Sequence, residues 1–212
     1  MVHLVQKKTI VIRYQIRRFM SELHHLFPTV VSVNHDFLTE EETSALLHNV
    51  DETSEFLISH GTIVGDNGSS HGQQVDILNR CSKEIKNKIT NALNEYGASM
   101  GMHEMCIINS WYNIQRKGSS LNAHNHPNSR VSAALYLKTD EYSSNIYFHN
   151  ANPYQNFECY QNETDLNYGK YWIKPKVGTL IFFPSWLTHS GDVNESDERI
   201  CISFNSINQT HL

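Results

Sequence analysis

Residues 199–204 read Arg-Ile-Cys-Ile-Ser-Phe, a run in which polar or small side chains alternate with large apolar ones. Successive side chains of a β-strand point to opposite faces of the sheet, so this alternation predicts a strand. The three large apolar residues would share one face, and Arg199, Cys201 and Ser203 would share the other.

Because Arg199 is charged, the environment of its face of the strand bears on the function. Arginine is almost never fully buried without a partner. If Arg199 faces the interior of the fold, it needs an anion there, and a planar guanidinium can grip a carboxylate with two hydrogen bonds. If it lies at the rim, it can pair with Asp197 or Glu198. The sequence leaves both arrangements open.

Five further segments resemble this strand in composition, since they are short and rich in β-branched and aromatic residues. They are residues 106–114, 131–137, 145–148, 171–173 and 179–183. Turn residues separate them, and the long polar stretch at 150–170 is predicted to be an insertion or lid. The second half of the chain is therefore predicted to be mostly β.

Two helices are predicted before these strands. Thr39 and Glu42 have the spacing of a capping box and predict a helix at 39–50. Apolar residues at steps of three and four predict a second helix at 75–97, with Gly97 at its C-terminal end. Helices followed by many short strands indicate a β-sandwich or barrel with supporting helices.

Composition limits the class of protein. With 212 residues, of which 39% are hydrophobic and 18% charged, the chain can build a packed core and is not wholly disordered. We expect one domain at 26–212, preceded by a basic arm or helix at 1–25. No apolar run reaches the roughly 18 residues that a membrane span needs.

Charge and cysteine content limit the partners and the compartment. The net charge of −5 argues against a nucleic-acid partner, although the first residues are basic. The four cysteines show no CxxC spacing and favour a reducing compartment, which we take to be the cytoplasm.

Three of the thirteen histidines stand out by position. His124 and His126 are two residues apart, so in an extended segment both rings would point into the same space. His189 follows the predicted strand at 179–183. Each feature alone is weak evidence for a metal site. Together they match the way in which a β-barrel brings three metal ligands from distant parts of the chain to one end of the barrel. Imidazole suits Fe, Zn, Cu and Ni alike.

An ordered string of residues carries a resemblance to a known family. It consists of Trp111-Tyr-Asn113, Gly118, His124-Asn-His126-Pro127, Ser132, Tyr136, Phe148, Pro175-Lys-Val-Gly178, Phe183-Pro-Ser-Trp186, His189 and Arg199-Ile-Cys-Ile-Ser-Phe-Asn205. In order, spacing and flanking residues it resembles the iron(II)- and 2-oxoglutarate-dependent oxygenases, most closely a branch found in bacteria and their phages. The resemblance covers residues 26–208 and is densest from 109 onward.

The resemblance implies a fold and a site. The fold would be a double-stranded β-helix, the cupin-like jelly roll, with the metal at its mouth. By this resemblance His124, His126 and His189 would hold Fe(II), and Arg199 would bind the distal carboxylate of the cosubstrate 2-oxoglutarate. Three further polar residues occupy positions that commonly assist cosubstrate binding in the family. They are Asn113, Tyr136 and, with weaker support, Ser203.

The sequence departs from the family pattern at His126. Most members carry Asp or Glu there, so the usual two-His-one-carboxylate set would become three neutral imidazoles. With one negative charge missing, the dianionic cosubstrate should be attracted more strongly, and selectivity for iron over copper, nickel or zinc should loosen. Asp192, three residues after His189, could supply a carboxylate from elsewhere.

The resemblance implies a dioxygenase that hydroxylates a second substrate and releases succinate and CO2. We expect a small-molecule or peptide substrate, with residues 61–74 and 150–170 gating access, and we leave a homodimer open. Two alternatives stay open: a three-His metal dioxygenase or hydrolase that does not use 2-oxoglutarate, and a non-catalytic jelly-roll binding module. The orientation of Arg199 relative to the three histidines distinguishes between them.

Overall fold

The structure is a computed structural model that describes residues 27–73, 75–102, 104–152, 161–162, 164 and 167–209. The arm predicted at 1–25 lies outside these residues, as does the middle of the insertion predicted at 150–170.

The described residues form two α-helices, eleven strands and two short 3₁₀ turns at Ser54–Phe56 and Ile77–Asn79. In chain order the helices and strands are β1 Ser32–Asn34, α1 Glu40–Glu52, β2 Ile63–Val64, β3 Asn67–Ser69, α2 Lys83–Ser99, β4 Met105–Arg116, β5 Ser120–His124, β6 Val131–Lys138, β7 Ile146–His149, β8 Lys170–Ile173, β9 Leu180–Pro184, β10 His189–Gly191 and β11 Glu198–Asn208.

The strands form two antiparallel sheets. The larger sheet has the order β1-β9-β6-β11-β4-β3, and the smaller sheet has the order β2-β5-β10-β7-β8. Strands that neighbour one another in a sheet are mostly distant in sequence, because the chain passes repeatedly between the two sheets. This arrangement confirms the predicted double-stranded β-helix with supporting helices.

The alternation predicted for residues 199–204 is confirmed by the packing. Ile200, Ile202 and Phe204 belong to the cluster that joins the larger sheet to both helices. Cys201 belongs instead to a second cluster, which lies between the two sheets. The larger sheet therefore buries one face against the helices and turns its other face, which carries the polar residues, toward the smaller sheet.

The capping box predicted at the start of the first helix is present. Thr39 N–H donates to Glu42 Oε2 at 2.8 Å, and Glu42 N–H donates to Thr39 Oγ1 at 3.2 Å. Lys88 Nζ on α2 lies 2.7 Å from the same Glu42 oxygen, so the cap also links the two helices. Helix α1 continues to Glu52, two residues beyond the predicted end.

The second helix begins at Lys83, eight residues later than predicted. Ser82 caps it by accepting a hydrogen bond from Ile85 N–H at 3.3 Å. The preceding 3₁₀ turn lies against β4, where Leu78 N–H donates to Ser110 Oγ at 2.9 Å. The apolar residues of this turn have helical spacing but serve packing against the sheet, which periodicity alone cannot distinguish.

The C-terminal end of α2 also differs from the prediction. Gly97 lies inside the helix, which ends at Ser99. The glycine that ends the helix is Gly101, at φ +73°, in the left-handed conformation that a helix C-terminus favours. Its N–H donates to the carbonyl of Ala98 at 3.0 Å.

Candidate metal and cosubstrate site

The three predicted histidines lie together at one end of the space between the sheets. His124 ends β5 and His189 begins β10, and the two are direct partners in the antiparallel ladder. His126 lies two residues beyond β5, where its N–H donates to the carbonyl of Ser185 at 2.9 Å. Ring centroids are 4.3 to 5.1 Å apart. Atoms able to bind a metal all lie within 4.8 Å of one another.

Backbone carbonyls fix the orientation of two of these rings. Nδ1 of His124 lies 2.9 Å from the carbonyl of Asn122, and Nδ1 of His189 lies 3.1 Å from the carbonyl of Leu187. Because a carbonyl can only accept a hydrogen bond, each Nδ1 carries the proton. The lone pair of each ring is then on Nε2, which leaves that atom for a metal ion.

The protonation state suits metal binding. Burial, reinforced by the neighbouring imidazoles, lowers the pKa of His189 to about 3 and the pKa of His126 to about 4. Burial also lowers the pKa of His124. All three rings are neutral near pH 7, which is the form that coordinates a metal.

Among the residues that the structure describes, no carboxylate joins this group. The oxygens of Asp192 accept hydrogen bonds from Asn145 N–H at 2.7 Å and from the Tyr147 hydroxyl at 3.2 Å. They therefore hold a loop rather than complete the site. His149 is also outside the group, since its Nε2 lies 2.9 Å from Ser190 Oγ.

Arg199 is buried, with only 5% of its surface exposed. It lies opposite Gln115 in the ladder between β11 and β4. One Nη donates to Gln115 Oε1, and the other donates to the Tyr136 hydroxyl at 3.2 Å. The guanidinium also lies 4.8 Å from the centre of the Tyr136 ring. Among the described residues, the guanidinium is thus held in place by neutral groups alone.

The alternative in which Arg199 pairs at the rim is wrong. Within the described parts of the chain no acidic side chain lies within ion-pair distance of it, and Glu198 pairs with Lys138 Nζ at 3.0 Å. Two buried donor atoms have no hydrogen-bond partner: Nε of Arg199 itself and Nε2 of the neighbouring Gln115. Each unpaired buried donor costs on the order of 1–3 kcal/mol. A bound carboxylate would satisfy both donors and the charge.

The histidines and the arginine share one cavity of about 470 Å³. All seven residues predicted for the site line it. Tyr136 contacts Arg199, whereas Asn113 accepts a hydrogen bond from Ser69 Oγ at 2.6 Å. Ser203 follows Arg199 and Cys201 on the same face of β11. The donor set therefore fits a divalent metal beside a small dianion, with the cation of Arg199 available for one carboxylate.

The cavity residues that the sequence interpretation missed include three with polar side chains that matter below: Gln115, His60 and His71. Gln115 could have been found, because it alternates with Trp111 and Asn113 along β4. The two histidines lie before and inside the segment predicted as a flexible loop at 61–74. That segment instead contains β2 and β3. Strands of two and three residues leave no periodic signal to detect.

In the part of the chain that the structure covers, neither helix has the length and apolar character needed to cross a bilayer.

Comparisons with known proteins agree with the site. Residues 109–205, which include every residue predicted for it, match the family described as "Putative 2OG-Fe(II) oxygenase". No curated protein matches the chain in sequence.

Solved structures share the fold at low sequence identity. A Pseudomonas putida prolyl-4-hydroxylase is 16% identical with a TM-score of 0.58, over 85% of this chain and 94% of that one. The epimerase SnoN of nogalamycin biosynthesis, solved with Fe3+ and α-ketoglutarate, is 13% identical with a TM-score of 0.61, over 86% and 80%. A prolyl hydroxylase from Trichoplax adhaerens, in complex with a peptide fragment, is 12% identical with a TM-score of 0.60, over 85% and 84%.

The family match, the jelly-roll fold and the three-histidine group point to the same assignment. Fe(II) and 2-oxoglutarate are the metal and cosubstrate of the matched family. The segment 109–205 is thus similar in sequence to the 2OG-Fe(II) oxygenases, and the described fold is similar to theirs.

Proposed function

We propose that His124, His126 and His189 hold Fe(II) and that Arg199 binds the distal carboxylate of 2-oxoglutarate in a reaction that hydroxylates a second substrate. The overall reaction is R–H + O2 + 2-oxoglutarate → R–OH + succinate + CO2. The metal, when bound, supplies the activation of dioxygen. The protein supplies the ligands, the anion site and a cavity between the two sheets.

One observation carries the cosubstrate assignment: the buried guanidinium of Arg199 has no acidic partner among the described residues and lines the same cavity as the three histidines. A buried unpaired cation is strongly unfavourable unless an anion completes it. Gln115 Nε2 and Arg199 Nε are the unpaired donors that the carboxylate would meet. The Tyr136 hydroxyl, which accepts from the guanidinium, still has its own proton to donate.

The residues around these groups position them and bury the ring of His189. Backbone carbonyls hold two imidazoles with Nε2 free. Phe148 and Phe183 pack against the ring of His189, with centroids 6.4 and 4.7 Å away. An apolar wall beside the ligands lowers the local dielectric and strengthens the attraction between Arg199 and a carboxylate.

The two alternative functions, a three-His metal enzyme without 2-oxoglutarate and a non-catalytic binding module, explain fewer of these observations. A three-His metal enzyme that does not use 2-oxoglutarate gives no reason for an unpaired buried arginine in the same cavity. A non-catalytic binding module gives no reason for three neutral imidazoles within 4.8 Å of one another. Because imidazole rather than carboxylate stands at His126, we expect the site to bind nickel, copper and zinc as readily as iron.

The test is an anaerobic titration of the purified protein with Fe(II) and 2-oxoglutarate. A cosubstrate that chelates iron through its oxo and carboxylate oxygens gives a visible charge-transfer band, and we expect this band at one equivalent of each. Succinate lacks the oxo group and serves as the control, which should give no band. If 2-oxoglutarate gives no band either, the proposal is wrong.

We further propose a cytoplasmic location, without a nucleic-acid partner. The free thiols of Cys81, Cys106 and Cys201 support a reducing compartment. The net charge of −5 disfavours binding to phosphate backbones. A homodimer stays a prediction, which sedimentation analysis would test.

A further inference from the structure

The rim of the cavity carries two further histidines, His60 and His71, which are separate from the three metal ligands. His60 precedes β2 and His71 follows β3, and His60 Nε2 lies 3.1 Å from His71 Nδ1. Both residues line the cavity. The Trp111 ring lies close to both His71 and the metal ligand His126, with centroids 4.7 and 5.7 Å away. The pair is thus adjacent to the site where a substrate must lie.

Hydrogen bonds determine where the protons of this pair reside. Thr62 N–H donates to His60 Nδ1 at 3.3 Å, and Thr62 Oγ1 lies 2.6 Å from the same nitrogen. Because His60 Nδ1 accepts, the proton of a neutral His60 is on Nε2 and is donated to His71 Nδ1. The proton of His71 is then on its own Nε2. No acceptor for that proton is found among the described residues.

Among the residues that the structure describes, the rest of the rim carries no charged side chain. Apart from the buried Arg199, every described residue that lines the cavity is apolar, amide, hydroxyl, thiol or imidazole. Burial lowers the pKa of both His60 and His71, so the pair is neutral as well. A charged substrate group would lose its hydration at this rim without gaining a partner, whereas an uncharged polar group would not.

One strand edge at the rim has no neighbouring strand over part of its length among the described residues. Strand β4 pairs with β11 along its length, but its other neighbour, β3, pairs with it only at Asn113–Gln115. Residues 107–109 therefore have a strand partner on one side only, among the strands that the structure describes. Ile108 is an extra residue in this ladder, because Asn109 pairs with Asn205 and Ile107 pairs with Ser206. An open edge of this kind can accept an extended peptide.

The side chains of the open edge face the same cavity. Ile108 is 39% exposed, Asn109 is exposed as well, and both line the cavity together with His71. A chain that extends along this edge would pass the Trp111 ring and reach the metal ligands.

We propose that the rim binds an uncharged peptide in an extended conformation, with the peptide backbone on the open edge of β4 and a peptide carbonyl accepting a hydrogen bond from Nε2 of His71. This inference rests on the proposed function, because it names the substrate class of that same site. His60 and Thr62 are positioning residues, since they act on the substrate through His71.

The experiment uses three pools of capped hexapeptides: uncharged sequences, sequences with two acidic residues and sequences with two basic residues. Each pool is added to the full-length protein with Fe(II), 2-oxoglutarate and air, and succinate release is compared with the uncoupled rate without peptide. We expect the uncharged pool to stimulate release at least fivefold more than either charged pool. Oxidised peptide, detected as a mass increase of one oxygen, should accompany it.

Variants of the rim test the contact itself. His71→Ala should reduce the ratio of stimulated to uncoupled release at least tenfold. His71→Gln, whose amide N–H can take the place of Nε2–H, should restore most of it. Ile108→Lys, at an exposed position, should move the preference toward the acidic pool. The matched control is His48→Ala on α1, where the side chain is 71% exposed and should have no effect.

The outcomes separate this inference from the function on which it rests. If the Fe(II)–2-oxoglutarate band and uncoupled succinate appear but no pool stimulates release, the peptide inference is overturned and the proposed function stands. Equal or stronger stimulation by a charged pool, or an unchanged ratio in His71→Ala, overturns it too. Absence of both the band and any succinate overturns both proposals.

Discussion

Replacing Arg199 by methionine should weaken 2-oxoglutarate binding by about two orders of magnitude. Methionine retains an unbranched apolar stem but removes the guanidinium, so the distal carboxylate would keep only the neutral donors Gln115 and Tyr136. Truncating one partner of a buried, hydrogen-bonded charge pair costs on the order of 3 kcal/mol. That is roughly a hundredfold in Kd.

The same substitution should have the opposite effect on the protein without cosubstrate. There Arg199 is a buried cation with an unpaired Nε and no acidic partner in the described structure. Replacing a buried charge by an apolar side chain of similar length is often neutral or stabilising by about 1–4 kcal/mol. Since 1 kcal/mol shifts Tm by roughly 2–4 °C in a domain of this size, we expect Tm to stay the same or rise by several degrees.

The assay is an anaerobic titration of 2-oxoglutarate into Fe(II)-loaded protein, followed by the visible band, with a thermal melt of the metal-free protein alongside. Arg116→Met is the matched control, because Arg116 is also on the β4–β11 ladder but is 42% exposed and pairs with Asp66 at the surface. It should change neither Kd nor Tm appreciably. A Kd for Arg199→Met within threefold of the original value would refute the reasoning.

Three further predictions concern the fold and the metal-free site. Thr39→Ala removes the capping side chain of α1 and should lower the free energy of unfolding by about 1 kcal/mol in urea titrations. Gly178→Ala should cost about 1–3 kcal/mol, because the residue has φ +79° and an added Cβ would lie 3.0 Å from a backbone oxygen. Gly118→Ala, at φ +82° in open space, should cost less in the same titrations. In EDTA, Tm should fall as the pH drops from about 6.5 to 4. In this range the unfolded chain binds protons at His126 and His189. The folded chain does not, because the pKa values of these residues are lowered to about 4 and 3 in the folded protein. A melt whose Tm is flat across that range would contradict this assignment of neutral rings.

Part of the site could be predicted because Arg199, Tyr136 and Asn113 lie on long strands whose side chains alternate between two faces. The order of residues 199–204 correctly put Arg199, Cys201 and Ser203 on one face of β11 and the large apolar residues on the other, although it left open which environment the first face meets. The spacing of His124 and His126 likewise implied a shared direction. The capping box of α1 could also be predicted, because Thr39 and Glu42 are three residues apart and their hydrogen bonds do not depend on tertiary contacts.

Other features depend on contacts that one sequence does not contain. The segment before α2 has helical spacing, yet it forms a 3₁₀ turn because Ser110 on β4 accepts a hydrogen bond from its backbone. His60 and His71 are eleven residues apart and meet only because β2 and β3 pair with different sheets. The sequence likewise could not decide whether Glu198 pairs with Arg199, because Glu198 contacts Lys138 instead, on a strand that is distant in sequence.

The most direct test of the account is the number of Fe(II) ions bound at equilibrium by single-histidine variants. The unaltered protein should bind one ion, and His124→Ala, His126→Ala and His189→Ala should each bind far less at the same free Fe(II). His149→Ala should still bind one, because that ring contacts Ser190 and lies outside the group. Full binding by any of the first three variants, or loss of binding in His149→Ala, would contradict the three-histidine centre.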